Sequence, residues 1–412
     1  MKILLAASTL EYRGTPRTMV CYARMLKARH EVLVWAMIRG GEYEDALKAE
    51  GIPFCVGPAA MEVALAFRPD VFNLHRPSVP CEGERDILLR FKSAGARCVE
   101  TSVFGRVDPT VENVLDLSLQ ISKWDLYRWN AWKGKYRVPG VLMPNPVDTE
   151  AFRRAREGEI SEKRQQWRVD ENGVRGFVLG RIGKTDWSLL ERPLIDALER
   201  NANLYFVHVG DYGGNLPTSV RNHPHVRIQP KMLSSGELSV FYSACDACVN
   251  VNKTGESFGY VNAEAMACGT PVISLARPFH DNAQVEMVQG GGGGIVIHRP
   301  GELADAVERL RTDGALCQKI RECAPRFVET HYSLHVLGDK LDLAFSCAKA
   351  EDVAGAVARA VESGLLLTSV VRDEVLWDDD WRTKLFLRLF HSPAGYMILT
   401  TLKDVKKVLL RR

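Results

Sequence analysis

The strongest chemical signal in the chain is a pair of carboxylates in the stretch GESFGYVNAEAMACGTPVIS, residues 255–274. Most glutamates only keep a surface wet, and that reading suits Glu256 better than Glu264. Glu264 stands among alanines, Met266 and Cys268, where an ionised carboxylate is costly to bury unless a donor meets it. It therefore calls for a ligand or a partner. The preceding DACVNV predicts a strand, residues near Tyr260 to Cys268 a helix, and PVISL the next strand. Gly269 is a left-handed helix stop, and Pro271 prevents continuation. Residues 256–259 thus lie at a strand's carboxyl end and feed a helix N-terminus, where free N–H groups and the helix dipole favour a phosphate. Gly259 lets a ligand approach the backbone closely. Glu264, about five residues beyond the helix start, lies roughly 7 to 8 Å along the axis. A nucleotide sugar presents sugar, diphosphate and ribose in that order over a similar length. The spacing matches Glu256 to sugar hydroxyls, the helix start to the diphosphate and Glu264 to the ribose diol.

The elements that must position these groups follow from the rest of the chain. At 412 residues it exceeds one core, so two domains are expected. With 46% apolar residues, 25% charged residues and a formal charge of +3, the composition is that of an ordinary soluble protein and does not argue for nucleic acid. The opening KILLAAS is too short an apolar run for a signal peptide and suits a first strand. No segment approaches a membrane span in length. The ten cysteines fall in apolar stretches, which predicts reduced, buried thiols in a cytoplasmic protein. The single CxxC, Cys245 and Cys248, lacks a second pair at zinc spacing, so no metal site is expected.

From Lys2 to about Pro144, short β-rich runs (KILLAAS, EVLVWAM, PFCVG, DVFNLH, RCVETSV) alternate with helical ones. Strands separated by helices imply parallel pairing and a doubly wound α/β domain. Residues 150–173 are highly charged and contain no strand-like run, which predicts a boundary with a helical piece. The alternation then restarts with GFVLG, LYFVHVG, VRIQ, DACVNV, PVISL and GGIVI. The expected organisation is two tandem α/β domains, 1–150 and 151–345, followed by a helical extension, 346–412. Ligands of such sheets bind at the carboxyl ends of the strands, here in a cleft between the domains. The final stretch MILTTLKDVKKVLLRR has apolar residues at helical spacing with five basic residues against one acidic. It either lies peripherally on an anionic membrane or packs its apolar face back on the body.

Glu256, seven residues, then Glu264, with Ala265, Met266, Ala267 and the close Gly269, Thr270, Pro271, Val272, resembles the donor-site signature of retaining family-4 glycosyltransferases, of GT-B type. The resemblance extends to VLMPNPVDTEAF (141–152), GRIG (180–183) and ELADAVERL (302–310), and covers roughly residues 1–345. It implies two Rossmann-like domains, the first on the acceptor side and the second binding the nucleotide-sugar donor. It further implies transfer of a hexose to a glycan or lipid-linked acceptor, with no metal and no cofactor beyond the donor itself. By the same resemblance Glu256 contacts the donor sugar and Glu264 the ribose, with Ser257, Phe258, Gly259 and Tyr260 completing the donor loop. Arg181 and Lys184 match the basic pair that holds the diphosphate, although Lys184 stands closer to the Arg than usual. The ordinary alternative for both is a solvated loop. His75, in RPDVFNLHRP, matches a histidine at a strand's carboxyl end, where a lone histidine otherwise has a structural role. Gly14 matches the glycine loop facing the phosphates and acceptor, though Arg13, Thr15 and Pro16 replace the usual paired glycines. Where relatives carry a second histidine, this chain has Glu100, Thr101 and Ser102, which leaves the first-domain contact to the reacting sugar unassigned.

Three motifs imitate sites. Gly290 to Gly294 satisfies glycine-loop patterns but precedes a strand, which predicts a flexible surface turn. Asp378, Asp379 and Asp380 resemble a metal-binding Asp pair but stand ahead of a helical run, where acidic residues cap. His223 and His225 flank Pro224 and predict a turn. Two other readings share the frame: a nucleotide-sugar epimerase or phosphorylase, and a non-catalytic binding subunit. No lysine suits a pyridoxal phosphate cofactor.

Overall fold

The computed structural model describes residues 1–375 except 82, 135, 172, 184–185, 211–214, 233, 278–279 and 372–373. The chain divides into two compact units, Met1–Pro146 with the chain from Leu334 on, and Val147–Ser333.

The first unit is built on seven strands: β1 (Lys2–Thr9), β2 (Glu31–Arg39), β3 (Phe54–Val56), β4 (Val71–Arg76), β5 (Arg97–Ser102), β6 (Leu117–Gln120) and β7 (Gly140–Leu142). All pair in parallel, in the order β3-β2-β1-β4-β5-β6-β7. Successive side chains of a strand point to opposite faces, and both faces here are covered. Ile3, Leu5, Val32 and Val34 pack with Met19 and Ala23 of the helix Gly14–Leu26. Leu4, Leu33 and Trp35 face Phe91 and Trp129 on the other side. The strand order reverses between β1 and β4, so the loop before Gly14 and the end of β4 at His75 flank the switch point where ligands of such sheets bind.

Two elements of this sheet, β6 and β7, were absent from the sequence pattern. A further difference lies at the other end of the chain. The expected boundary at 345 falls inside the helix Leu334–Lys349, whose Leu337, Leu341 and Phe345 are buried in the core of the first sheet. The helix Val353–Glu362 follows, and Val357 joins the same core.

In the second unit the charged segment 150–173 does contain the expected helix, Glu157–Trp167. It also contributes to a small antiparallel pair the sequence did not suggest, β8 (Asp170–Glu171) with β9 (Val174–Arg175). Arg164, buried beneath it, donates to Asp170 and Asp246 and so satisfies these charges internally. The main sheet comprises β10 (Phe177–Ile182), β11 (Leu204–Val209), β12 (Val226–Gln229), β13 (Ala247–Asn250), β15 (Val272–Leu275) and β17 (Gly294–Ile297). Its order is β12-β11-β10-β13-β15-β17, with every pairing parallel. Two short strands, β14 (Gly255–Glu256) and β16 (Asp281–Asn282), pair beside it. The switch point of this sheet lies between β10 and β13. Arg181 is the fifth residue of β10, and β13 leads into the Glu256 segment.

Among the described residues, no helix is long and apolar enough to cross a membrane. The terminal basic stretch 397–412 and Asp378 to Asp380 lie outside the described residues. The run Gly290 to Gly294 is not a loose surface turn: Gly291 and Gly293 are buried against Met287 and Met266. His223 and His225 do form a turn, with the His225 ring stacked 4.9 Å from Tyr205.

Candidate active site

Glu256 is held by its backbone before its side chain. Gly255 adopts φ +70°, and a Cβ there would sit 1.7 Å from the Asp281 carbonyl oxygen, so only glycine lets β14 approach β16 this closely. The Glu256 N–H donates to Gln284 Oε1 at 3.1 Å, and Gln284 Nε2 in turn donates to the Leu275 carbonyl at 2.8 Å. The half-buried carboxylate accepts from Asn252 Nδ2 at 2.6 Å and Asn250 Nδ2 at 3.2 Å, both on Oε1. Ser257 Oγ donates to Asp281 Oδ2 at 3.1 Å, which commits the hydroxyl proton within the loop. Phe258 is buried edge-on between Tyr260 and Tyr332, so its side chain packs and only its backbone is available to a ligand.

Gly259 caps the helix Tyr260–Ala267 with φ +91°, and no side chain caps the first turn. A helix N-terminus of this kind, with its dipole and N–H groups, favours an anion. Glu264, one turn further, is 2% exposed, and Tyr242 Oη donates to its Oε2 at 2.6 Å. The partner that the sequence demanded for this carboxylate is thus a tyrosine hydroxyl from the helix Ser235–Ala244.

Arg181 is 1% exposed at the end of β10. Its guanidinium lies 4.0 Å above the Trp187 ring, and Nη2 donates to the Asp186 carbonyl at 2.8 Å. Among the described residues, Nε and Nη1 meet no hydrogen-bond partner. Burial pulls its pKa down to about 10, against the opposing pull of the Asp186 carboxylate. A desolvated cation with unused donors is chemically an anion receptor, and its planar fork fits phosphate oxygens. Lys184 lies outside the described residues.

In the first unit, His75 is 3% exposed, and its ring nitrogens have no hydrogen-bond partner among the described residues. It packs 5.1 Å from the Tyr22 ring, and burial lowers its pKa to about 3, so the imidazole is neutral. Gly14 opens the helix Gly14–Leu26, and its carbonyl accepts from Thr18 Oγ1 at 3.1 Å. The trio at the end of β5 is largely committed elsewhere. Glu100 accepts from Arg76 at 3.0 Å and from Ser118 at 2.6 Å, and burial pushes its carboxyl up against the pull of Arg76. Arg76, fully buried, also pairs with Glu84 and Asp108. Thr101 is bonded to Asn73. Of the three, only the Ser102 hydroxyl is buried without a hydrogen-bond partner among the described residues.

The sequence reading missed Asn250, Asn252, Tyr242, Gln284 and Trp187. The two asparagines carried a signal: asparagine is depleted in strands, yet two stand in the run ACVNVN. Nothing local pointed to Tyr242 or Trp187, whose partners come from other elements.

Two parallel Rossmann-like α/β sheets give the chain the GT-B fold class. Residues 177–313 match the family model described as glycosyl transferases group 1. The chain is 35% identical over 115 residues to the alpha-D-kanosaminyltransferase of Streptomyces kanamyceticus, covering 27% of this chain and 26% of that protein. It is 28% identical over 221 residues to the phosphatidyl-myo-inositol mannosyltransferase of Mycobacterium tuberculosis, covering 50% and 54%. The matches thus span about half the length of these relatives or less. Among solved structures, the Anabaena HepE protein in complex with UDP and glucose superposes with a TM-score of 0.68 at 18% identity, covering 84% of this chain and 99% of that one.

Proposed function

We propose that this protein is a glycosyltransferase that moves a hexose from a nucleoside diphosphate sugar to a glycan or lipid-linked acceptor, with retention at the anomeric carbon and without a metal ion. The observation that carries the reading is the Arg181 guanidinium, buried with two nitrogens unpartnered among the described residues. It stands at the same switch point as the uncapped helix start at Gly259. Support comes from the glycosyl transferases group 1 match across 177–313 and from HepE, whose fold was solved with UDP and glucose.

Breaking the anomeric bond builds charge on the departing diphosphate. Preorganised cations and helix N–H groups stabilise that charge more than they stabilise the bound donor, which is the condition for catalysis. Arg181, with Lys184 and the N–H groups of Gly259 and Tyr260, supplies them. Glu256 orients the sugar and Glu264 meets the ribose. The leaving phosphate deprotonates the acceptor on the same face, so no protein base is required. From the first domain, His75 acts as a catalytic residue and Gly14 belongs to the glycine loop that faces the donor phosphates and the acceptor. Any peripheral membrane contact would run through the basic terminal stretch.

The test is a thermal-shift screen against UDP, GDP, ADP and their glucose and mannose conjugates, with magnesium or with EDTA. A ligand that binds only the folded state raises the midpoint by mass action. One nucleotide series should shift it equally in both conditions, and Glu256→Ala should fold normally but abolish transfer. No shift at millimolar ligand would leave a non-catalytic scaffold as the better reading. Conversion of the donor sugar without any acceptor would identify an epimerase.

A further inference from the structure

Three buried asparagines surround Glu256. Asn250 ends β13, Asn252 lies two residues on, and Asn262 sits in the first turn of the helix Tyr260–Ala267. Apolar residues would serve packing better at such positions, because a buried amide is costly unless its hydrogen bonds are made. Two of the amides donate to the same carboxylate oxygen. Asn252 Nδ2 donates to Glu256 Oε1 and to Asn250 Oδ1. Asn250 Nδ2 donates to the same Glu256 oxygen and, at 2.8 Å, to Asn262 Oδ1. Asn262 Nδ2 is buried with no hydrogen-bond partner among the described residues. An ionised carboxylate only accepts. Glu256 therefore fixes which way the Asn250 and Asn252 amides face, and these two in return fix one carboxylate oxygen.

We propose that this asparagine relay, with Asn252 as its principal member, positions the Glu256 carboxylate for the pyranose hydroxyls of the donor. The inference rests on the reading of Glu256 as the sugar contact. A free glutamate must lose rotamer freedom on meeting a ligand, and a side chain already held pays less of that cost. The relay should then matter for the sugar half of the ligand and not for the nucleotide half. Asn252 acts through Glu256 and is a positioning residue.

The deciding experiment measures affinities of the full chain by calorimetry for UDP, GDP, ADP and their glucose and mannose conjugates, at pH 7.5 and pH 5.5. The ratio of conjugate to free diphosphate affinity gives the contribution of the sugar. Asn252→Asp keeps size and replaces the donating nitrogen by an acceptor, so one carboxylate faces another. At pH 7.5 the sugar contribution should fall by about tenfold or more, the scale of a hydrogen bond to a charged group, with free diphosphate affinity unchanged. At pH 5.5 it should partly recover, because a proton shared between the carboxylates replaces the lost N–H. The wild type should show no such recovery, and adding Asn252→Asp to Glu256→Gln should cost nothing further. If Asn252→Asp does not fold, Asn252→Ser is measured in the same cycle. A sugar contribution that Glu256→Gln removes but the Asn252 variants leave intact overturns the relay. One that survives Glu256→Gln, or is missing from the wild type across the whole panel, overturns the sugar-contact reading and the relay with it.

Discussion

His75 makes the stability of the first unit depend on pH, and the size of the effect can be worked from its burial. The imidazole has an ordinary pKa of 6.5 and about 3 in the fold, because burial disfavours its charged form. Folding lowers its proton affinity, so its contribution is whole above about 6.5 and drains away as pH falls through the window down to about 3. At pH 5 the unfolded imidazole is protonated and the folded one is not. One and a half units at about 1.4 kcal/mol each give a loss of about 2 kcal/mol from this residue alone. His75→Phe keeps a ring beside Tyr22 and removes the titration. The assay is hydrogen-exchange protection of the segment Val71–Arg76 across a urea series at pH 7.5 and pH 5.0, which reads the first unit by itself. Wild type should lose about 2 kcal/mol more than His75→Phe between the two conditions. Glu100, whose carboxyl burial pushes up, responds in the opposite direction, but it is present in both proteins and cancels in the difference. Equal losses would mean that the imidazole is protonated inside the fold, and the account of its burial would be wrong.

Two further outcomes follow from the second unit. Arg181→Met removes a desolvated cation with unused donors, so the ligand-free midpoint should stay level or rise while the diphosphate contribution to binding disappears; a fall in the midpoint would show that the guanidinium is satisfied. Gly255→Ala places a methyl against the Asp281 carbonyl at a positive φ and should cost on the order of 2 kcal/mol or more, read as a lowered thermal midpoint together with loss of sugar-dependent binding.

The strands that were legible are those dominated by apolar or β-branched residues, such as β1, β2, β11 and β15, and β4 and β5 were read despite Asn73 and Glu100. β6 escaped because LSLQ carries two buried polar residues, Ser118, which donates to Glu100, and Gln120, whose Nε2 donates to Ser118. The Glu100 partner of Ser118 comes from a strand 18 residues away, and no local pattern records it. The hairpin of β8 and β9 was hidden by Asp170, whose charge Arg164 neutralises from the preceding helix. In the second unit, Glu256 and Gly259 were visible in residue type and spacing, and Arg181 through the family resemblance. Trp187 and Tyr242 were not, since what they do depends on which surface they meet. His75 was placed correctly at a strand's end, yet its neutrality is a property of burial.

The second unit is an insertion within the first, and its ends meet: Val147 and Ser333 form an isolated bridge, with the Val147 N–H donating to the Tyr332 carbonyl at 2.7 Å. During synthesis this has a consequence for order. The first seven strands emerge from the ribosome without Leu337, Leu341 and Phe345, which complete their core. The intervening Val147–Ser333 segment takes about 10 to 40 s to make at ordinary elongation rates. For that interval the nascent first sheet has one face only partly covered, by the helix Gly14–Leu26, while the inserted unit, closed on itself at its own ends, is free to fold first. The helices made after the insertion, Leu334–Lys349 and Val353–Glu362, are then what complete the core of the strands made before it.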